Sequence, residues 1–144
     1  MKCRIFQIAL ALFLMTAPLT GQDSDKQNAA VDVPMQTLSE IQSLFQPKEQ
    51  PKSQAHLAKM FEKQFQDVLQ LAKEAKQEYP DAKNLSLVRA MELRAALYLR
   101  QINNTPERTK QLKTIAEEIM ANSGPDQVKA QAHYILLEIR FEEN

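Results

Sequence analysis

Glycine occurs only twice in 144 residues, tryptophan is absent and there is a single cysteine. So few glycines leave little material for the tight turns of a sheet protein or for a loop that cradles phosphate. The formal net charge is zero, which removes any global electrostatic argument for nucleic acid or an anionic membrane as partner. His-Glu-x-x-His, Gly-x-Ser-x-Gly and the phosphate loop are all missing. A metal site needs three or four converging ligands. His56 stands apart at a helix start, and His133 with Asp126 would supply only two ligands on one helical face. No metal, cofactor or nucleotide is therefore expected, and no catalytic residue is assigned. The adjacent pairs Glu117-Glu118 and Glu142-Glu143 diverge by about 100° around a helix, the wrong geometry for acid–base work on one substrate. They are expected to be solvated charges. Met60, Met91 and Met120 are expected to fill the core. Asn84-Leu-Ser86 and Asn103-Asn-Thr105 match the glycosylation tripeptide and are read as chance matches.

What the chain does have is helix-forming material: 44% hydrophobic residues and frequent Ala, Leu, Gln, Glu, Lys and Met. The organising stretch is Leu85–Ile102. Val88, Met91, Ala95, Leu99 and Ile102 recur every three or four residues, which sets them on one helical face. Ala90, Leu93 and Leu97 form a second stripe roughly opposite. A helix that is apolar on two sides is usually enclosed by neighbours, so this one is expected to be the central rod of a small all-α domain.

The N-terminus carries an address. Lys2 and Arg4 precede the apolar run Ile5–Met15, and Thr16–Gly21 gives a small-residue exit. That is the pattern of a secretory signal peptide, and the run is short of the roughly 20 residues a membrane span needs. Residues 1–21 are assigned to the signal, with cleavage expected between Ala17 and Gln22. Removal takes Lys2 and Arg4 and no acid, turning 18 basic against 18 acidic residues into 16 against 18. It also takes Cys3, so the mature chain has no thiol and must be stable through packing alone.

Residues 22–52 read as a linker. Gln22–Asp32 is polar and aperiodic, a flexible spacer. A short helix is expected near 34–45, with Pro34 in its first position and Met35, Leu38, Ile41 and Leu44/Phe45 as its stripe. Residues 53–144 form the helical domain. Its first helix, about Ser53 to Glu78, carries Leu57, Phe61, Phe65, Val68, Ala72, Ala75 and Tyr79 on one side, and Pro80 stops it. After the central helix, Thr105-Pro106-Glu107 reads as cap, first position and dipole partner of a third helix with the stripe Leu112, Ile115, Ala116, Ile119 and Met120. Gly124 is expected as a left-handed cap, and a fourth helix starts near Asp126.

Pro80-Asp81 and Pro125-Asp126 each open a two-sided helix, at an offset of 45 residues. Helix-pair repeats have periods of this order. The segment Lys73–Ala82, Lys-Glu-Ala-Lys-Gln-Glu-Tyr-Pro-Asp-Ala, followed by Ala90, Leu93 and Leu97, resembles the tetratricopeptide-type repeats of exported bacterial proteins. The resemblance spans roughly Ser53 to Phe141. It implies antiparallel helical hairpins in a right-handed array, and a protein-binding or spacer role rather than catalysis. The alternative is the N-terminal helical module of a longer exported enzyme, such as a thioredoxin-fold thiol–disulfide oxidoreductase. A Cys-x-x-Cys beyond residue 144 would decide for it.

The last helix again has two stripes. Val128, Ala132, Ile135 and Ile139 form one; Ala130, Tyr134, Leu137 and Phe141 form the other. The preceding helices can cover one of them. The second is the candidate interaction face, to be covered by a protein partner, a second copy, a further C-terminal helix or the segment Met35–Phe45 folding back. The helical unit is accordingly expected to be unfinished at its C-terminus.

Overall fold

The computed structural model describes residues 31–143, and all regular structure among them is α-helical. Five helices follow in chain order: α1 (Met35–Ser43), α2 (Gln54–Glu78), α3 (Leu85–Ile102), α4 (Pro106–Ala121) and α5 (Asp126–Glu142). The expected signal segment 1–21, its cleavage site and residues 22–30 of the expected spacer lie outside the described residues. Among the described residues no helix is long and apolar enough to cross a membrane.

The helix ends follow from local chemistry. The Ser53 side chain accepts from the His56 amide at 3.1 Å, satisfying one of the free donors at the start of α2. Tyr79 closes α2 because Pro80 disfavours helix in the residue before it. Thr105 caps α4 by accepting from the Arg108 amide, with Pro106 in the first turn. Two expectations need correction. Pro34 sits at the N-cap of α1, one residue ahead of the expected first position, and its carbonyl accepts from Leu38. Gly124 does not adopt the left-handed conformation. Asn122 takes over that end of α4 in an extended backbone, its side-chain amide donating to the Glu118 carbonyl at 2.7 Å.

α3 separates two cores. On one side Val88, Ala95 and Leu99 meet Phe65, Val68, Ala72 and Ala75 of α2, together with Leu38, Ile41, Leu44 and Phe45 in and after α1. Phe65 is the aromatic centre, with Phe61, Phe45 and Tyr98 at ring-centroid distances of 5.3, 5.5 and 5.3 Å. On the other side Leu93 and Ala96 meet Leu112, Ile115, Ala116 and Ile119 of α4 and Ala132, Ile135 and Ile139 of α5. The two-stripe reading of α3 thus has a direct structural counterpart. Met91 and Ile102 pack against the first core and Leu97 against the second. Met35 and Met120 do not face the core as expected; both are exposed. Met35 precedes the turn that presents Leu38 and Ile41, and Met120 lies one position beyond the buried Ile119.

Side-chain ties fix the relative directions of the helices. Glu62 pairs with Arg108 and Lys76 with Glu118, so α2 and α4 run the same way. Arg100 pairs with Glu142, joining the last turns of α3 and α5. Arg89, early in α3, donates to the Asn122 side chain at the far end of α4, so those two run in opposite directions. Before α1, the Val33 amide donates to the Asn84 side-chain oxygen and the Asn84 amide group donates to the Val33 carbonyl, both at 2.9 Å. The Lys83 amide donates to Asp32 at 3.2 Å. The end of the expected spacer is therefore docked onto the loop between α2 and α3, and Val33 is buried there.

Candidate interaction face

α5 is helical because Asp126 starts it just after Pro125 and because its inner stripe has a core to enter. Ala132, Ile135 and Ile139 are buried, and Val128 and Leu136 pack at the margin. The same periodicity forces the other apolar residues outward. Ala130 is exposed, Tyr134 is 68% exposed, Leu137 37% and Phe141 82%. They lie 4, 3 and 4 residues apart, a line that runs about 16 Å along the helix at 1.5 Å per residue. One expected cover is excluded among the described residues: α1 packs on α2 and α3, not on α5. His133 and Asp126 also sit on exposed positions of α5, and among the described residues no three metal-ligating side chains come together. His56 is instead part of the start of α2: its Nδ1 accepts from the Lys52 amide at 3.2 Å, and its Nε2 lies 3.3 Å from Glu49.

The most polar part of the interior lies elsewhere, where α2, α3 and α4 meet. The Lys76 ammonium donates to Glu92 at 2.9 Å and to both oxygens of Glu118 at 3.1 and 2.9 Å. Arg89 lies 3.9 Å from Glu118. Burial pushes the Glu92 carboxyl above the ordinary carboxylate range, and the Lys76 hydrogen bond and charge offset this only in part. Burial alone would lower Lys76, but its hydrogen bonds to Glu92 and Glu118 and their charges prevail and hold it above the ordinary lysine value. Lys76 and Arg89 balance the charges of Glu92 and Glu118, while Glu92 Oε2 and Arg89 Nε are buried without a hydrogen-bond partner among the described residues.

The expectation that the paired glutamates are solvated holds for the exposed Glu117, Glu142 and Glu143 and needs correction for the half-buried Glu118. Glu118 binds Lys76, Glu142 binds Arg100 and Glu143 lies 3.4 Å from Lys113. Helix neighbours still point apart, but each of these finds a cation on another helix. Sequence reasoning also missed Arg108, which pairs with Glu62 and donates to the Leu99 carbonyl at 2.8 Å, beside the Asn103 amide that the same oxygen accepts, and to the Asn103 carbonyl at 3.3 Å. The signal available for Arg100 and Glu92 was their place on a helix apolar on two sides, where a charged residue has little access to water. For Lys76 there was none.

The described residues thus offer two kinds of site: a charge-balanced cluster inside, and a line of uncovered apolar side chains outside. No protein-family model, no curated protein and no solved structure matches the chain.

Proposed function

We propose that this chain is an exported, non-enzymatic helical module that binds protein through the outer face of α5. The observation that carries the reading is the line Ala130, Tyr134, Leu137 and Phe141, in which two aromatic rings stand largely in water. Leaving a large apolar side chain uncovered forfeits about 1.5–3 kcal/mol relative to burial. A contiguous exposed apolar line of this kind marks an interaction surface more readily than scattered single residues do. The alternation of helix directions supports a tetratricopeptide-like array of hairpins, with α2–α3 and α4–α5 as its two units. The basic start, apolar run and small-residue exit of residues 1–21 support export to the periplasm or beyond.

The test is a photo-crosslinking amino acid at position 137, introduced into the full chain in the cell that makes it. A covalent adduct to a polypeptide is the expected result. Absence of any adduct, with the protein present and folded, overturns the reading. Mass spectrometry of the recovered protein tests export: its N-terminus should fall between Ala17 and Gln22, and an intact Met1 on folded protein refutes that part.

A further inference from the structure

The apolar line on α5 has a particular pattern. Spacings of 4, 3 and 4 are those of alternating d and a positions in a heptad repeat, with Ala130 and Leu137 at d and Tyr134 and Phe141 at a. The flanks of the line differ in chemistry. On one side lie His133 and Arg140, at successive g positions; on the other lie Gln131 and Glu138, at successive e positions. All four are exposed. Whether neutral or charged, an imidazole ring carries an N–H that a carboxylate accepts.

From this placement we infer that the occupant of the α5 face is a second copy of the chain, with the two α5 helices packed parallel and in register about a two-fold axis along them. The inference rests on the reading of this face as a protein-binding surface and names its partner.

The charge pattern selects the arrangement. In a parallel pair each g residue faces the e residue five positions further on in the other helix. His133 then meets Glu138 of the other copy, and symmetry makes the contact twice. An antiparallel pair with the same apolar overlap sets Tyr134 against Leu137 and Ala130 against Phe141. It brings His133 to the side of the basic Arg140 and puts Glu138 beside Gln131, so the complementary contact is lost. Ala130 contributes sterically: a small residue at d lets the helices approach, while Phe141 fills the space nearer the C-terminal end. The stripe covers about two heptads, fewer than the three or four that sustain a long coiled coil, so the dimer should depend on concentration.

Cysteine crosslinking reads out the geometry. In a Cys3→Ser background Ala130→Cys should form a disulfide-linked dimer with itself, since d positions of a parallel pair lie within disulfide reach. In the antiparallel pair the two Ala130 positions are about 16 Å apart, and only a mixture of Ala130→Cys and Phe141→Cys chains crosslinks. Gln66→Cys, exposed on α2, reports random collision. The expected result is a covalent Ala130→Cys dimer well above the Gln66→Cys level, abolished by adding Leu137→Asp without loss of helical circular dichroism. Three outcomes overturn the inference: no Ala130→Cys dimer above the collision level, crosslinking only between Ala130→Cys and Phe141→Cys, or a position 137 photo-adduct that joins the face to another polypeptide or to residues 1–30 of the same chain. An adduct to another polypeptide refutes the dimer and leaves the protein-binding reading standing. Absence of any adduct refutes both.

Discussion

Replacing Lys76 by methionine should destabilise the fold through a charge that stays behind, and the size of the loss can be reasoned from the cluster. The Lys76 side chain is 16% exposed, Glu92 7% and Glu118 38%. Removing the ammonium leaves two carboxylates facing each other, with Arg89, 3.9 Å from Glu118, as the remaining nearby cation. Stranding one partner of a buried pair costs roughly 3–5 kcal/mol. The partial exposure of Glu118 puts the expected loss near the low end, about 3 kcal/mol. The double variant Lys76→Met, Glu92→Met removes the stranded charge as well. Buried ion pairs replaced by apolar residues of similar volume are often neutral in stability, so the double should return to within about 1 kcal/mol of the parent. In urea unfolding followed by circular dichroism, with a slope of about 1.5 kcal/mol per molar, the single variant should lose roughly 2 M in midpoint and the double should regain most of it. Because the folded-state pKa of Lys76 is raised, its contribution is complete below the ordinary value of 10.5 and is lost as pH climbs through the raised value. The parent and the single variant should therefore converge in alkali. A single variant within about 0.5 kcal/mol of the parent would mean the cluster is screened like a surface pair. A double variant no better than the single would mean the loss comes from shape and not charge. Either result refutes the reasoning.

Three further outcomes are expected. Glu92→Gln should gain on the parent as pH rises from about 4 to about 7. The raised carboxyl favours the folded state when protonated and penalises it when ionised, and glutamine resembles the protonated form; paired unfolding curves that keep a constant offset across that range rule this out. Thr105→Ala should cost about 1 kcal/mol by removing the α4 cap, and Thr105→Ser should recover most of it; equal thermal midpoints for all three chains would show that the cap contributes nothing. Gly124→Ala should be neutral or stabilise by up to about 1 kcal/mol, because the backbone is not left-handed and a new Cβ would meet only Ser86 at 4.0 Å; a loss of more than about 1 kcal/mol in urea would contradict that geometry.

The elements were legible because each rests on local information. Leu85–Ile102 announces both its faces through spacing alone, and the structure puts a core on each. Thr105-Pro106 and Tyr79-Pro80 mark helix ends through backbone chemistry that needs no tertiary context. The uncovered line on α5 was readable for the same reason: its two stripes are set by spacing alone, and among the described residues only one of them enters a core. What was not legible depends on how helices lie against one another. Lys76 and Glu92 are 16 residues apart, and Val33 and Asn84 are 51 apart. Neither contact leaves a periodic trace, because register between helices is set by the packing of both cores. Gly124 misled because glycine permits the left-handed turn without requiring it, and Asn122 could satisfy the end of α4 with its own side chain.

The position of α3 between two cores means that this domain has no seam. A fragment ending after Ile102 would leave Leu93 and Ala96 facing water, and a fragment beginning at Leu85 would do the same to Val88, Ala95 and Leu99. Helical hairpins are commonly pictured as interchangeable blocks, added or deleted in pairs. Here the middle helix is owned jointly, so neither half can be exchanged without redesigning the one it shares. Damage in one core should also register in the other, and amide exchange should report one cooperative opening of α2 through α5 rather than two.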